Sequence, residues 1–229
     1  MFIDLNCDLG EGAANDAELL SLVTTANVAC GFHAGDAETA HLTIAAAAAS
    51  GVHVGAHPGF ADRANFGRTE LTRSDRRVYE DCVYQIGALV ALAASCDAKL
   101  THIKPHGALY NQACRDAYYA EPIVAAASLF GLPIMGLPGS HLQRLGGSKF
   151  VAEGFADRRY RPDGSLVPRT EANAFVHDPD EAARQALDLV RQHGVQTLCV
   201  HGDNPQAVEF VRALRKALGA NGFTIRAFA

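Results

Sequence analysis

No two of the six cysteines, at positions 7, 30, 82, 96, 114 and 199, stand in a Cys-x-x-Cys pair or in Cys/His zinc-finger spacing. That removes a redox dithiol and a structural zinc finger from the readings, and the thiols are expected to be free. Several lie in apolar runs, where Cys acts as a small hydrophobe. A basic excess is missing too. Lys and Arg number 20 against 25 Asp and Glu, a formal net charge of −5, which offers no general attraction to nucleic acid or anionic membranes. The most apolar stretches, Leu42 to Gly51 and Ile86 to Ser95, are Ala-rich and about half the length that crosses a bilayer. Met1-Phe2-Ile3-Asp4 carries no basic segment ahead of an apolar one, so no secretory leader is expected and the cytosol is the expected compartment.

Nucleotide and nucleophile motifs are also absent. Gly10-Glu11-Gly12 begins like a dinucleotide fingerprint, but Asn15 stands where the third glycine would fall. Gly146-Gly147-Ser148-Lys149 has neither the spacing nor the ending of a phosphate-binding loop, so no ATP site is expected in this chain. Ser140, in Pro138-Gly139-Ser140-His141, lacks the Gly-x-Ser-x-Gly elbow of serine hydrolases and reads as a helix cap. No linker, low-complexity tract or repeat divides the chain, so residues 1–229 are expected to form one domain.

What is present is an alternation of short β-branched runs with longer segments of helical period, the pattern of βα units around a mainly parallel sheet. The expected strands are Phe2–Leu5, Asn27–Ala29, Val52–Ala56, Leu100–Ile103, Ile134–Gly136, Phe150–Ala152, Thr197–Val200 and Thr224–Ala227. Val78, Cys82, Ile86, Leu89 and Ala93 form one apolar helical stripe, and Ala183, Leu187 and Val190 another. Asp178-Pro179-Asp180-Glu181 has the chemistry of a helix start, and Asn204-Pro205 repeats it ahead of 206–218. Asp163-Gly164, between Tyr160 and Val167, predicts a hairpin excursion near 155–170.

Almost every expected strand runs into polar, ionisable and glycine residues, which in parallel α/β folds marks the functional edge. The clusters are Asn6–Gly12, Gly31–Asp36, Gly55–Phe60, Lys104–Asn111 and His201–Pro205. Each has a plain alternative: Asp36 could simply cap a helix, and glycines permit tight turns. Capping, however, requires no His or Lys. Carboxylates and imidazoles from different strands serve either acid–base chemistry or a divalent metal, and the sequence leaves that choice open. His53 and His57 share a strand face but sit about 13 Å apart, too far for one ion. Lys104 reads as a fixed positive charge near a developing oxyanion, or as the partner of a strand-end carboxylate. Arg158, Arg159 and Arg161 read more readily as a solvated or ion-paired run than as an anion site.

Leu5-Asn6-Cys7-Asp8-Leu9-Gly10-Glu11, Ala26–Asp36, Gly55–Phe60, His102–Asn111, Phe155-Ala156-Asp157-Arg158 and Val200–Pro205 together resemble the LamB/YcsF family, from the first strand to the last helix. The resemblance implies a TIM-like (β/α) barrel, seven-stranded or irregular and related to the sugar deacetylase barrels. It also implies the role of the A component of 5-oxoprolinase in the ATP-dependent opening of 5-oxo-L-proline to L-glutamate, with 5-oxoprolinase subunits B and C as partners. ATP would be used by the complex, in keeping with the absence of an ATP motif here. One departure is that the segment between Ala174 and Thr197 is shorter than the family leads one to expect.

Within that reading partner subunits activate the lactam, as a phosphorylated imidate, and this chain directs water onto the activated carbon. Position after the first strand makes Asp8 the candidate general base. His57 and His106 are candidates to shuttle protons or hold a metal, and Lys104 to stabilise charge on the departing oxygen. Asn6, Glu11, His33, Asp36, Tyr110, Asn111, Arg158, His201 and Asp203 are candidates to bind substrate or support the pocket. Metal dependence stays open. The alternatives are a stand-alone metal-dependent amidohydrolase or deacetylase, and a non-catalytic subunit that binds 5-oxoproline.

Overall fold

The first strand sets the plan of the molecule. In β1 (Phe2–Leu9) apolar and polar residues alternate strictly from Ile3 onward, so with a side-chain period of two Ile3, Leu5, Cys7 and Leu9 face one way and Asp4, Asn6 and Asp8 the other. Both sets are buried. The apolar face packs under helices, and the polar face looks into the interior of a barrel.

The computed structural model describes residues 1–204 and 206–228. The elements that follow β1 are α1 (Asp16–Leu20), β2 (Thr25–Ala29), α2 (Ala37–Ala49), β3 (His53–His57), α3 (Asp75–Ser95), β4 (Leu100–Ile103), α4 (Gly107–Arg115), α5 (Ala117–Leu129), β5 (Ile134–Gly136), α6 (His141–Gly146), β6 (Phe150–Phe155), α7 (Pro179–His193), β7 (Thr197–Val200), α8 (Ala207–Ala220) and β8 (Thr224–Ile225). Neighbours from β1 to β7 pair in parallel, and β7 pairs back onto β1, closing a seven-stranded barrel. β8 adds in parallel to the start of β1, through Phe2 and Ile3, and stays outside the closure. This is the α/β, TIM-like barrel expected. No described helix is long and apolar enough to cross a membrane.

The helical stripes behave as expected. Val78, Cys82, Ile86, Leu89 and Ala93 are all buried on α3, and Ala183 and Val190 on α7, whereas Leu187 is half-buried. Asp178 caps α7 by accepting from the Asp180 and Glu181 N–H groups, and Ser140 caps α6 by accepting from Gln143 N. α8 starts later than expected, at Ala207, with Gln206 at its cap position; Asn204 accepts from Gln206 N, and Pro205 lies outside the described residues. The hairpin excursion is present, with Arg161–Gly164 closing its tip and antiparallel bridges joining Tyr160 to Leu166 and Arg158 to Phe175.

Strand limits are the main correction. β1 runs four residues beyond Leu5 and β6 three beyond Ala152, so Asn6, Asp8 and Glu153 are strand residues pointing inward, not loop residues after a strand. β2 begins at Thr25, β3 ends on His57, and β8 stops at Ile225. The reason is physical: a polar residue inside a strand looks like a strand end unless the interior it faces is itself polar.

That interior is built as a ladder of hydrogen bonds. At the amino end, the Asp4 carboxylate accepts from the hydroxyls of Thr24 and Thr25, 2.6 Å each, and of Thr197. One layer up, Asn6 donates to Thr197 Oγ1 at 2.7 Å, and Asn27 donates to Asn6 Oδ1 at 2.8 Å and to Asp8 Oδ1 at 2.9 Å. The His102 ring donates from Nε2 to Asn27 Oδ1 at 2.7 Å. Its space is provided by Gly55 on the adjacent strand, where a Cβ would lie 2.0 Å from His102 Nε2. Every rung satisfies the next, which is what makes a buried polar network tolerable.

Candidate active site

The top of the ladder lies at the carboxyl ends of the strands and carries charge. Lys104, directly after β4, is 2% exposed, and its ammonium sits 2.9 Å from Asp8 Oδ1, 2.8 Å from Glu153 Oε1, 3.2 Å from Asn6 Oδ1 and 3.0 Å from Cys199 Sγ. Burial works against its charged form, but Asp8, Cys199 and Glu153 outweigh it and hold its pKa well above the ordinary lysine value. Burial likewise opposes ionisation of Asp8, yet His57 and Lys104 win and hold it well below the usual carboxylate range. Of the two roles read from the sequence, the structure shows Lys104 as the partner of strand carboxylates.

Beside this pair four side chains from four segments converge: Glu11 after β1, His33 after β2, His57 at the end of β3 and His106 after β4. Glu11 Oε1 is 3.0 Å from His33 Nε2, 3.3 Å from His106 Nδ1 and 3.8 Å from His57 Nε2. His57 Nε2 is also 3.5 Å from Asp8 Oδ2 and 2.9 Å from His106 Nδ1. The His33 and His106 rings stack at 3.8 Å with 6° between planes. Gly67, with φ +66°, lets the loop pass over them, since a Cβ there would come 2.7 Å from His33 and 3.0 Å from His106.

Protonation follows from the partners. His57 Nδ1 faces the Lys104 carbonyl at 2.7 Å and His106 Nε2 the Phe66 carbonyl at 2.8 Å. Carbonyl oxygens only accept, so these ring nitrogens carry hydrogen. Burial pushes the His33 pKa down to about 3 against the opposing pull of Glu11, and lowers that of His106. His57 is the exception: burial disfavours its charge, but Asp8 and Glu11 raise its pKa overall. Burial opposes ionisation of Glu11, but the His106 and His33 imidazoles beside it hold its pKa well below the usual carboxylate range.

A small cavity opens above Asp8, His57, Lys104 and His106, walled by Tyr110, Asn111, Phe155, Arg158 and His201 and rimmed by Arg68 and Arg169. His201 stacks on Phe155 and is held by Asp157, whose carboxylate oxygens are both 3.0 Å from His201 Nδ1. Lys104 Nζ sits 5.1 Å from the centroid of the Phe155 ring. Tyr110 is buried, and its hydroxyl has no hydrogen-bond partner among the described residues. At the rim Asp203 lies 2.5 Å from Arg68 Nη2 and 4.0 Å from Arg169 Nη1, one carboxylate between two guanidinium groups.

Of the residues expected from sequence, Asn6, Asp8, Glu11, His33, His57, Lys104, His106, Tyr110, Asn111, Arg158, His201 and Asp203 meet at this end of the barrel. Asp36 does not: it is exposed at the start of α2, and its carboxylate accepts from Thr39 N as a helix cap. Arg158 departs from the solvated reading of its run, being buried and donating to the carbonyls of Ala174 and Val167, so it fastens the hairpin excursion to the cavity wall. Arg159 and Arg161 are the solvated, paired members, with Glu181 and Glu171. His53 lies at the other end of β3 from His57 and joins no ligand group among the described residues.

Sequence reasoning missed Asn27, His102, Glu153, Asp157, Arg68 and Arg169. Asp157 lies in a motif already singled out, next to Arg158, and a carboxylate within that motif was a usable signal. The two arginines lie in loops without periodicity and gave none.

Comparison with solved structures first defines the class. T48 deacetylase with substrate is 18% identical, with TM-score 0.56, over 98% of this chain and 86% of that one. A family 4 carbohydrate esterase from Streptomyces lividans, in complex with acetate, is 10% identical, with TM-score 0.57, over 100% and 93%. At such identities the likeness shows the fold, a deacetylase-type barrel. The chain belongs to the LamB/YcsF family, whose model matches residues 3–229. It is also similar to a lactam utilization protein from Thermus thermophilus, at 42% identity and TM-score 0.90 over the whole of both chains.

Proposed function

We propose that this chain is the ring-opening subunit of a 5-oxoprolinase, converting 5-oxo-L-proline to L-glutamate in a complex whose partner subunits, B and C, carry the ATP-dependent activation. The observation that carries the reading is the buried Asp8–Lys104 ion pair at the floor of a cavity rimmed by Arg68 and Arg169, in a chain similar to a lactam utilization protein. A lactam carbonyl is resonance-stabilised, and this chain has no nucleotide motif to activate it. Division of labour with an ATP-using partner fits that absence.

The chemistry follows from the side chains. Asp8 accepts a hydrogen bond from water and takes its proton as the new C–O bond forms at C5. Lys104, 2.9 Å away, faces the oxygen on which negative charge develops. The C5–N bond then breaks, with the ring nitrogen taking the proton held on Asp8 and the one on the new hydroxyl, and leaves at C5 an acyl phosphate that a second water cleaves to the carboxylate and inorganic phosphate; with the ATP spent by the partners on activation, the sum is 5-oxoproline, ATP and two waters to glutamate, ADP and phosphate. The substrate is itself a carboxylate, and the half-buried Arg68 and Arg169 are suited to receive it in place of Asp203, one carboxylate exchanging for another. Tyr110, Asn111, Phe155 and His201 enclose the ring.

The test is to supply 5-oxoproline to the purified chain alone and to the chain reconstituted with its partner subunits. Glutamate is expected only in the second case, with ATP present and consumed. Ring opening by the isolated chain without ATP would favour the second reading, a stand-alone metal-dependent amidohydrolase, which the four-donor group of Glu11, His33, His57 and His106 supports. No glutamate under either condition would defeat both.

A further inference from the structure

The arrangement of His57 and His106 poses a problem of lone pairs. Each ring gives its only hydrogen to a backbone carbonyl when neutral, which leaves His57 Nε2 and His106 Nδ1 as bare acceptors 2.9 Å apart. Two acceptors at that distance repel unless something positive lies between them. Glu11 Oε1, a third acceptor, lies within 3.8 Å of both, and His33 Nε2 is 3.0 Å from it.

These four donor atoms lie within 4.8 Å of one another, a grouping found nowhere else among the described residues. A tetrahedral zinc ion with arms of about 2.05 Å has ligand–ligand edges of about 3.3 Å. Contacts of 2.9, 3.0, 3.3 and 3.8 Å scatter around that edge and no pair exceeds 4.8 Å, so an ion is reached once the His33 ring, stacked on His106, turns its Nε2 toward the other three donors. The outer contacts match as well: ligating histidines donate their second ring N–H to a carbonyl or carboxylate, as His57 and His106 do to Lys104 and Phe66. Three imidazoles and one carboxylate are borderline donors, suited to zinc and poorly suited to magnesium.

We infer that Glu11, His33, His57 and His106 form a binding site for one divalent transition-metal ion, zinc by its donor set and tetrahedral shape. This deepens the ring-opening reading, because the site adjoins Asp8, 3.5 Å from His57, but it does not depend on the identity of the substrate. When bound, the ion would supply a second positive centre beside Lys104. The competing occupant is a single proton shared between His57 and His106, and it predicts no metal affinity.

The experiment uses the full-length chain stripped with a chelator and titrated with zinc in a calorimeter, without lactam or partner subunits. One zinc per chain is expected, with Kd below about 1 μM, and the metal-edge X-ray absorption of the loaded protein should show only nitrogen and oxygen neighbours at about 2.0–2.1 Å. Glu11→Gln and His106→Gln should each weaken binding at least tenfold, while His193→Gln, at the exposed end of α7, leaves it unchanged. Melting of each metal-free variant checks that it folds, and the absorption spectrum of the unsubstituted protein stands even where a variant does not. Binding no tighter than that of folded His106→Gln, or sulfur neighbours in the spectrum, would overturn the proposal. Neither result bears on lactam turnover, so the two readings fail separately.

Discussion

Both ends of the barrel bury polar side chains and use them differently. At the amino end Asp4 is ringed by Thr24, Thr25 and Thr197, whose hydroxyls rotate to satisfy it. At the carboxyl end Asp8, Glu11 and Glu153 face Lys104 and three imidazoles, groups that carry charge or expose lone pairs. A hydroxyl layer has one stable arrangement and nothing left to offer a ligand. A layer of fixed cations, ionised carboxylates and bare imidazole nitrogens retains the capacity to act on something that enters. Asn6, Asn27 and His102 join the two, so the lower layer serves as the mount for the upper one.

The largest expected effect falls on Lys104. Lys104→Met leaves Asp8 and Glu153 buried without their cation, so turnover of the reconstituted complex should fall at least ~100-fold and stability by about 3–5 kcal/mol, read from glutamate formation and urea unfolding. At the opposite end, Asp4→Ala leaves three hydroxyls without their acceptor and should lower stability by about 3 kcal/mol, with kcat of the folded enzyme within a few-fold of normal. Loss of catalysis on the same scale as Lys104→Met would erase the contrast between the ends. Between them, Gly55→Ala drives a methyl into His102 and should cost about 1–3 kcal/mol, seen as a lower Tm. Arg169→Gln, at the rim, should raise KM for the lactam about tenfold with little change in kcat. Least of all, Arg115→Ala breaks an exposed pair with Glu70 and should change stability by under ~0.5 kcal/mol.

Much of this was legible beforehand. Asp178-Pro179, the α3 stripe and Asp163-Gly164 each carry local chemistry that decides local structure, and each forms the element it predicts. The site's membership was legible because β/α folds gather their strand ends, and of the residues expected there only Asp36 stands apart. Asp36 misled because a carboxylate opening a helix looks the same whether it caps or catalyses. The polar interior was not legible: Asp4, Asn6 and Asp8 alternate with apolar residues as on any half-exposed strand, and only closure of the barrel reveals that their side is inside. The fit of His102 against Gly55 depends on register between β3 and β4, which no single segment specifies.

The central claim is that the carboxyl-end layer performs the ring opening and that Asp8 moves its proton. It is tested most directly by Asp8→Asn, nearly the same in shape, assayed for glutamate formation from 5-oxoproline in the complete complex with ATP. With its proton acceptor gone, kcat is expected to fall by at least ~100-fold while the chain remains folded and assembled. Turnover within about threefold of normal, in a folded and assembled complex, would contradict it.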